Sequence, residues 1–416
     1  MSEPKLLTPK VAIIGAGPAG LSAAKKLAGR SGGEVLVVDR EKEAGGIPRH
    51  ADHLGYGIRD RKRFMSGPAY ARALVAEARN AGATIMTRTM VTGWADDKTL
   101  VATTPHGRVL IRPEVFCFAT GARERPRTAR MIPGTRPDGI LTTGQLQNRV
   151  HLNHDAVGTK AVVVGAELVS WSAVMTLAES GCRTIALVSE YDKPESYGLF
   201  TGPGQLWFRT RVTRNAKVVQ IHGKDRVSGV EIEHTTSGSR EIIECDTVVF
   251  TGSWIPDNEL LRMAGVTLDP ASRSPVVDAV GATSKPGIFA VGNLNHPVET
   301  ADVVALEGEN VADRILEHLR GTSSPMEAVA ITVDDPIAWI SPSTYTPRGP
   351  RPARGRFVAW VDRLITRPIV TVRQGGRVVA SKRLWWPAAP GRAFRIPSSL
   401  LQNVDPTGGD VRISIG

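Results

Sequence analysis

The sequence predicts an α/β fold in which a Rossmann-type domain is interrupted by an inserted second Rossmann-like domain and followed by a small C-terminal all-β module. A short apolar run enters a glycine-rich turn at residues 10–20 (KVAIIGAGPAG), and a similar pattern returns at residues 160–165 (KAVVVG). Two such units, about 150 residues apart, are typical of related nucleotide-fold domains. At the C-terminus, about 75 residues carry strand patterns around a Gly375-Gly376 turn instead.

The individual elements follow from short apolar runs that end in turns. In the first unit a helix is expected over residues 21–27 and a second strand over residues 34–39. In the second unit the pattern predicts a strand at 160–165, a helix at 166–180 and a strand at 184–190. Further strands are expected at 115–121, 245–252 and 287–293, and a helix over 300–318.

A change in composition marks the C-terminal module. Residues 321–325 (GTSSP) indicate a linker, and strands are expected at 356–361, 369–374, 377–384 and 411–415. The expected boundaries are 8–155 for the first part of the Rossmann-type domain, 156–255 for the inserted domain, 256–325 for the second part of the first domain, and 335–416 for the module.

Charge is concentrated in that module. Between Ser341 and Gly416 there are twelve Arg and one Lys against three Asp, which accounts for +10 of the chain's +11. A basic surface of this kind is compatible with an acidic protein partner, a nucleic acid, a membrane or plain solvation. No recognised nucleic-acid motif accompanies it, and we expect no nucleic-acid partner.

Composition and cysteine usage exclude several classes of protein. The chain is 41% hydrophobic and 22% charged, as in a globular protein with a core, and no run approaches the ~20 apolar residues of a membrane span. No secretory signal is recognisable, so the expected compartment is the cytoplasm. Cys117, Cys182 and Cys245 lie far apart in sequence, which argues against a redox disulfide or a self-contained iron–sulfur cluster, and we predict no metal site.

The first glycine turn has the chemistry of a dinucleotide phosphate loop. Gly15 permits a tight turn, Gly17 allows close approach of a diphosphate, and Gly20 lets the following helix pack against the sheet. The helix N-terminus offers free N–H groups to the phosphates. Asp39 follows about 20 residues later, where a carboxylate can hold ribose hydroxyls.

The residues around this turn extend the pattern. Gly45-Gly46 follows Asp39, an Ala-Thr-Gly turn closes a strand at 119–121, and Gly292-Asn293 closes another. At these positions, and at TGSWIPDNELL (251–261), residues 8–320 resemble the pyridine nucleotide–disulfide oxidoreductase superfamily. The resemblance implies bound FAD. The implied FAD contacts are Gly15, Gly17, Pro18, Ala19, Gly20, Asp39, Arg40, Gly46, Ile47, Arg49, Val91, Ala119, Thr120, Gly121, Gly292, Asn293 and Thr300.

A closer resemblance lies in GGIPRHADHLGYGIRD (45–60), GPAYARAL (67–74), AVVVGAELVSWSAVMTLAESG (161–181) and GNLNHPVETAD (292–302). These segments are similar to the flavoprotein subunits of hydrogen cyanide synthase, opine oxidase and related multi-subunit dehydrogenases. The resemblance implies an amine or amino-acid-like substrate. It also implies a hetero-oligomer with a second flavoprotein, an iron–sulfur subunit or both.

The sequence departs from the superfamily pattern at three places. No thiol lies near the Gly45-Gly46 turn, so thiol reductase chemistry is not expected. Asn293 stands where the superfamily usually has Asp, and its amide can still accept a hydrogen bond. In the second loop Glu167 and Ser170 replace glycines. A side chain at position 167 blocks close backbone approach, and we predict that this domain binds NAD(P)H poorly or not at all.

Three side chains are candidates for chemistry beside the flavin. Arg49 could pair with the diphosphate or stabilise reduced flavin, and His50 could transfer protons near neutral pH. His296 is a second proton-transfer candidate. The alternative is that Arg49 and His50 only bind cofactor or cap the loop, and that His296 only packs its loop. The helix beginning near Thr300 should direct its N–H groups at the flavin.

Three functions remain open from the sequence. The first is an FAD subunit of an amine or amino-acid dehydrogenase that passes electrons to a partner. The second is a stand-alone NAD(P)H-dependent flavin reductase, against which the second loop argues. The third is a non-catalytic subunit stabilised by FAD. If the basic module is the partner-docking surface, removing the residues after Pro325 should abolish association and leave the yellow colour.

Overall fold

The computed structural model describes residues 4–193, 195–196, 198–297, 299–322 and 328–416, with side chains at 199 and 200 left aside. Most of the predicted linker at 321–325 lies outside these residues. In the first third of the chain the elements are β1 (Lys5–Leu7), β2 (Val11–Ile14), α1 (Pro18–Leu27), β3 (Val35–Val38), β4 (Leu54–Tyr56), β5 (Met65–Ser66), α2 (Gly67–Asn80), β6 (Thr84–Met86), β7 (Met90–Asp96), β8 (Thr99–Thr104), β9 (Gly107–Ile111), β10 (Val115–Phe118) and β11 (Ala122–Glu124).

The remaining elements complete the inserted domain, return to the first domain and form the module. The middle of the chain forms β12 (Ile140–Thr142), α3 (Thr143–Gln147), β13 (Lys160–Val164), α4 (Leu168–Glu179), β14 (Arg183–Val188), α5 (Gly198–Phe208), β15 (Arg211–Thr213), β16 (Ala216–Gly223), β17 (Val227–His234), β18 (Arg240–Glu244), β19 (Thr247–Phe250), β20 (Trp254–Pro256) and α6 (Glu259–Met263). The last part forms β21 (Ile288–Ala290), α7 (Ala301–Leu319), β22 (Val329–Val333), β23 (Ile337–Ser341), β24 (Thr344–Tyr345), β25 (Arg356–Val361), β26 (Ile369–Gln374), β27 (Arg377–Arg383), β28 (Phe394–Pro397) and β29 (Val411–Ile415).

The first domain is built on a parallel sheet in the order β21-β10-β2-β3-β6. Strands β2, β3, β10 and β21 are apolar and buried because helices cover one face and the sheet β1-β9-β8-β7 contributes to the core on the other. Helices α1 and α7 lie in contact at Gly308, where a Cβ atom would overlap the carbonyl oxygen of Ala19. This close packing places the N-terminal ends of both helices at the same edge of the sheet.

The inserted domain repeats this architecture. Its parallel sheet has the order β12-β19-β13-β14-β15, and the antiparallel sheet β16-β17-β18 packs beside it. The chain passes into the inserted domain at β11 and returns from it at β20, and these two strands pair in antiparallel. Strand β12 lies before the expected boundary at 155–156 yet pairs with β19. The sheet of the inserted domain therefore includes a strand that precedes the expected boundary, and this strand is only three residues long and was not recognised in the sequence.

The C-terminal module is an all-β unit, as the sequence predicts. Its sheets have the orders β24-β22-β29-β26-β27 and β23-β25-β28 and enclose a separate apolar core. Gly375 and Gly376 have φ values of +54° and +77° in the tight turn between β26 and β27, a conformation that favours glycine. Strand β22 begins ahead of the expected boundary at residue 335. No helix in the described part of the chain is long and apolar enough to cross a membrane.

Candidate functional site

A cavity of about 1910 Å³ lies where the three parts of the chain meet. The first domain lines it with its glycine turn, the inserted domain with the start of α4, and the C-terminal module with Gly391 to Ala393 and Arg395. Its size leaves room for a dinucleotide together with a further small molecule. The contribution of the C-terminal module to the wall was not predictable from the sequence.

The first glycine turn leaves its diphosphate position open. A Cβ atom at Gly15, where φ is +110°, would overlap the carbonyl oxygen of Ala119, and one at Gly20 would overlap the carbonyl oxygen of Gly15. These two positions therefore require glycine for packing. A Cβ atom at Gly17 would meet nothing within 4 Å, so this residue faces open space at the N-terminus of α1. Anionic groups are favoured at such a helix end.

Asp39 closes the same turn from the end of β3. One carboxylate oxygen accepts the N–H of Ala16 at 2.7 Å, and the other accepts the N–H of Glu41 at 2.9 Å. The carboxylate lines the cavity and retains lone pairs for ribose hydroxyls. The sequence predicts Asp39 at the end of the second strand. The hydrogen bond from the glycine turn fixes the position of its carboxylate.

The structure brings nearly all predicted cofactor contacts to this cavity. Gly20 and Gly292 lie behind its wall, where the absence of a side chain permits close packing. The predicted contacts that line the cavity are Gly15, Gly17, Pro18, Ala19, Asp39, Arg40, Gly46, Ile47, Arg49, Val91, Ala119, Thr120, Gly121, Asn293 and Thr300.

Asn293 belongs to a loop that the C-terminal module holds. Its amide nitrogen donates to the carbonyl oxygen of Glu299 at 3.0 Å, and its amide oxygen accepts the N–H of Glu299 at 3.0 Å. The Glu299 carboxylate in turn accepts two hydrogen bonds from Arg395 at 2.8 and 2.7 Å. The side chain of Glu299 is 1% exposed. The basic module therefore anchors the segment that leads into α7.

Arg59 is a site residue that sequence reasoning missed. Its guanidinium pairs with Asp302 at 3.1 Å and its backbone N–H donates to the same carboxylate at 2.9 Å. Burial raises the pKa of Asp302, but hydrogen bonding from Thr300 and the charge of Arg59 outweigh this and lower it overall. Arg59 thus brings a positive charge to the N-terminus of α7, at the cavity wall. No sequence motif around residue 59 predicts its contact with Asp302.

Arg49 and His50 both line the cavity. The Arg49 guanidinium donates to the carbonyl oxygen of Glu43 at 2.9 Å, and its Nε atom has no partner among the described residues. His50 is buried, and burial lowers its pKa to about 4. A hydrogen bond with Gln147 opposes this shift, while the positive charge of Arg49 adds to it. The imidazole of His50 is therefore neutral at physiological pH.

His296 does not lie where the sequence predicted. It lines a separate cavity of about 40 Å³ that residues of the C-terminal module share, and it is not among the residues lining the large cavity. Its Nε2 atom pairs with Glu307 at 2.8 Å. Burial lowers the pKa of His296, but Glu307 outweighs this and raises it. The side chain of His296 therefore faces the smaller cavity, although the next residue, Pro297, lines the large one.

The second glycine loop differs sharply from the first because carboxylates fill it. Glu167 precedes α4 and is buried, and a Cβ atom at Gly252 would overlap its carboxylate. Glu195 comes from the segment after β14 and is also buried. Its carboxylate accepts the backbone N–H of Ala166 and a short hydrogen bond from Ser189. This bond parallels the one between Ala16 and Asp39 in the first loop, so the two loops differ in the side chain of Glu167 and in the cover over it rather than in this hydrogen bond.

The C-terminal module covers these carboxylates. A Cβ atom at Gly391, where φ is +75°, would lie 2.6 Å from the Cβ of Glu195 and 3.0 Å from the Cγ of Glu167. Burial and the charge of Glu195 raise the pKa of Glu167 to about 8, against the opposing charge of Arg130. Burial also raises the pKa of Glu195. A negatively charged diphosphate would meet both carboxyl groups and the backbone of residue 391.

The three cysteines take no part in this site. Cys117, Cys182 and Cys245 are buried and form no disulfide. Burial raises the pKa of Cys117 to about 12, which keeps it a neutral thiol. None of them lines the cavity.

A fold with two nucleotide-type domains around one large cavity defines the class of protein. The family model of the pyridine nucleotide-disulphide oxidoreductases matches residues 9–308, and the chain belongs to this family. It is an FAD-dependent oxidoreductase. The open first loop, the carboxylate of Asp39 and the size of the cavity fit FAD.

Relatives of the chain are flavoprotein reductases and oxidase subunits. Ferredoxin–NADP reductase of Salinispora tropica is 29% identical over 292 residues, which are 69% of this chain and 86% of that protein. An opine oxidase subunit of Agrobacterium tumefaciens is 25% identical over 360 residues, 77% of this chain and 67% of that protein. The crystal structure of thioredoxin reductase from T. acidophilum has a TM-score of 0.64 at 23% identity and covers 74% of this chain and 98% of that chain.

Proposed function

We propose that this protein is the FAD subunit of a multi-subunit dehydrogenase that oxidises a small amine or amino-acid-like substrate in the cytoplasm. The observation that carries the proposal is the contrast between the two glycine loops. The first is open at Gly17, whereas carboxylates fill the second and Gly391 covers it. We infer that, with its nucleotide site filled in this way, the protein takes its electrons from an organic substrate rather than from NADH or NADPH.

The cofactor is assigned to the cavity residues already described. The N-terminus of α1 and Gly17 hold the diphosphate, and Asp39 holds the ribose. Arg59 and the N-terminus of α7 favour negative charge on the flavin ring. When bound, FAD accepts the electron pair of the substrate and passes it on. Asn293, whose amide is held by Glu299, fixes the loop in front of α7.

His50 is assigned as the group that takes the substrate's proton. It is a neutral imidazole whose residue lines the cavity, and its Nδ1 atom is buried and has no partner among the described residues. A proton acceptor must be unprotonated at the working pH, which the lowered pKa of His50 provides, although a pKa of about 4 also makes the free imidazole a weak base. Arg49, beside it, contributes a positive charge that keeps His50 neutral.

A partner is expected to receive the electrons. Leu206 and Trp207 on α5 are each 83% exposed, and Trp207 lies at the wall of the cavity. Large exposed apolar side chains beside a site mark contact surfaces for other proteins. The opine oxidase relative, by its name, is one subunit of a larger enzyme. We assign the partner as a second flavoprotein, an iron–sulfur subunit or both, and expect no nucleic acid.

A nicotinamide-dependent flavin reductase is the second candidate. The similarity to ferredoxin–NADP reductase of Salinispora tropica, over 86% of that protein, favours it. Under this alternative the second glycine loop must bind NADH or NADPH despite Glu167 and Glu195.

Anaerobic reduction of the purified yellow protein separates the two candidates. We expect NADH and NADPH at micromolar concentrations to leave the flavin absorbance unchanged. The native complex is purified by a tag on this chain. An amine or amino acid from a panel that includes sarcosine, L-proline and an opine should then bleach the flavin absorbance. Rapid bleaching by NADH or NADPH would establish the reductase instead.

A further inference from the structure

Three carboxyl groups in the cavity wall lack the cationic partner that most of the others have. Asp39 is assigned to the ribose of FAD, and in the described part of the chain no Lys, Arg or His nitrogen lies within 4 Å of Glu124, Glu167 or Glu195. The other carboxylates that line the cavity each lie within 4 Å of an arginine nitrogen; they are Glu41, Asp138, Asp257, Glu259, Glu299 and Asp302.

Glu124 and Glu167 meet at the turn that follows β19. The backbone N–H of Arg125 donates to the carbonyl oxygen of Gly252 at 3.4 Å, which places Glu124 beside this turn. A Cβ atom at Gly252 would overlap the carboxylate of Glu167. The carboxylate of Glu124 accepts the N–H of Gly144 at 3.2 Å, which fixes its position. Two carboxyl groups from different segments are therefore brought to one turn.

The arginine beside this turn does not form an ion pair with either group. The guanidinium of Arg130 donates to the carbonyl oxygens of Thr251 at 2.7 Å, Gly252 at 3.1 Å and Arg125 at 2.8 Å. Its N–H groups are thus directed at the backbone. A buried carboxylate without a counter-charge is costly, and a cation in the cavity would supply the missing charge.

Aromatic side chains line the same part of the cavity. Helix α4, which begins directly after Glu167, contributes Trp171, and α5 contributes Trp207. Trp254 on β20 lies opposite Glu124 in the pair β11–β20 and also lines the cavity. A Cβ atom at Gly204 would lie 2.6 Å from the ring of Trp171, so glycine lets α5 approach this ring closely. Indole rings attract organic cations through their faces.

We propose that this part of the cavity is a binding site for an organic ammonium ion. Glu124 and Glu167 hold the ammonium group, and the indole rings contact the apolar groups attached to it. Glu195 adds negative charge. A ligand with a carboxylate at this position would be repelled, so the site selects an apolar amine. The inference rests on the proposed dehydrogenase function only in identifying the bound cation as the substrate.

A matched pair of small molecules tests the site without turnover. The probe 2-methyl-1-phenylpropan-2-amine is a cation at pH 7, and 2-methyl-1-phenylpropan-2-ol is its neutral counterpart of the same shape. Neither has a hydrogen on the carbon that bears the nitrogen or oxygen, so neither can be dehydrogenated there. In calorimetric titrations of the full-length, FAD-loaded protein we expect the amine to bind about tenfold more tightly than the alcohol, or better.

Binding of the amine should also release protons. Burial raises the pKa of Glu167 to about 8, and the charged groups that act on it are Glu195, Arg130 and Glu124. A bound ammonium group favours the ionised carboxylate, so protons leave at pH 7. The heat of binding should therefore depend on the protonation enthalpy of the buffer, and this dependence should fall in Glu167→Gln. A steric role of Glu167 would not produce it.

Three variants locate the site. Glu167→Gln and Glu124→Gln are isosteric, and each should weaken binding of the amine about tenfold while binding of the alcohol stays the same. The second variant keeps the test valid if the first does not fold. Glu259→Gln changes an exposed carboxylate that lines the cavity and pairs with Arg123 at 3.1 Å, and it should leave both affinities unchanged.

Two results would overturn the inference. One is equal affinity of the wild type for amine and alcohol, and the other is an equal loss of amine binding in Glu124→Gln and Glu259→Gln. If the amine binds as expected but no member of the substrate panel reduces the flavin, the dehydrogenase function is refuted and the ammonium site stands. The two failures are therefore distinguishable.

Discussion

The coupling of the basic module to the FAD site predicts a large effect of Arg395→Met. The Glu299 side chain is 1% exposed and accepts two hydrogen bonds from Arg395, whose own side chain is 18% exposed. Removing one partner of a buried ion pair costs about 3–5 kcal/mol, because the remaining charge stays buried. The N–H of Thr300 still donates to Glu299 at 3.2 Å, so we expect the lower end of this range.

This loss of unfolding free energy can be measured as a shift of the urea midpoint. With a slope of about 3 kcal/mol per molar urea, a loss of about 3 kcal/mol lowers the midpoint by about 1 M. Flavin fluorescence reports the transition directly, because the broken pair releases the loop of Asn293 that leads into α7. Release of FAD should therefore occur at lower urea in Arg395→Met than in the wild type.

Two further variants test the reasoning behind this number. In Arg395→Met/Glu299→Gln the uncompensated charge is removed, and most of the lost stability should return. Arg383→Met removes an exposed arginine of the same module and should change the free energy of unfolding by less than about 0.5 kcal/mol. If Arg395→Met and Arg383→Met lower the midpoint equally, the module does not support the cofactor site.

Four other outcomes follow from the structure. Truncation after Pro325 removes the wall at Gly391 and Arg395, so the truncated protein should lose FAD as well as its partner, contrary to the expectation from sequence; retained yellow colour would contradict this. Gly17→Val fills the diphosphate position and should give a colourless protein with an unchanged far-ultraviolet circular dichroism spectrum. Arg59→Met leaves Asp302 uncompensated at the N-terminus of α7 and should lower the flavin midpoint potential in a potentiometric titration; an unchanged potential would place the ring elsewhere. Glu167 has its pKa raised from 4.5 to about 8, so wild-type stability should fall as pH rises between these values, and Glu167→Gln should flatten that decline in urea titrations at pH 5 and pH 8.

The elements that the sequence predicted are those encoded by local patterns. Strands β25, β26 and β29 begin and end at the residues predicted from the sequence. The parallel strands β3, β13, β14 and β19 lie within two residues of their predicted bounds, and β10 and β21 end three residues early. The short strands β6, β12 and β15 were not predicted. A local signal suffices here because burial on both faces of a sheet leaves a continuous apolar run.

The parts of the site that the sequence did not predict depend on contacts between distant residues. His53 meets Ser172 across 119 positions, and Glu299 meets Arg395 across 96. The side chain of Glu195 reaches the second glycine loop from a segment without any nucleotide motif. Glu167 was recognisable as a break in the glycine pattern, but the carboxylate that accepts a hydrogen bond from that loop was not. Tertiary packing alone brings these groups together.

The buried carboxyl groups at the second glycine loop are better explained as part of the packing that closes the cavity than as the remains of a lost nucleotide site. A buried carboxyl group is costly unless hydrogen bonds satisfy it, and a loop that had only lost its ligand would gain stability by exposing Glu195 to water. Glu195 is instead held by Ala166 and Ser189 and covered by Gly391. The same inserted domain holds the backbone of His50 through His151. We infer that the domain has been kept to shape and close the flavin cavity. Binding of ADP-ribose to the wild-type protein at micromolar concentration in a calorimetric titration would contradict this, since it requires both carboxyl groups and residue 391 to move aside.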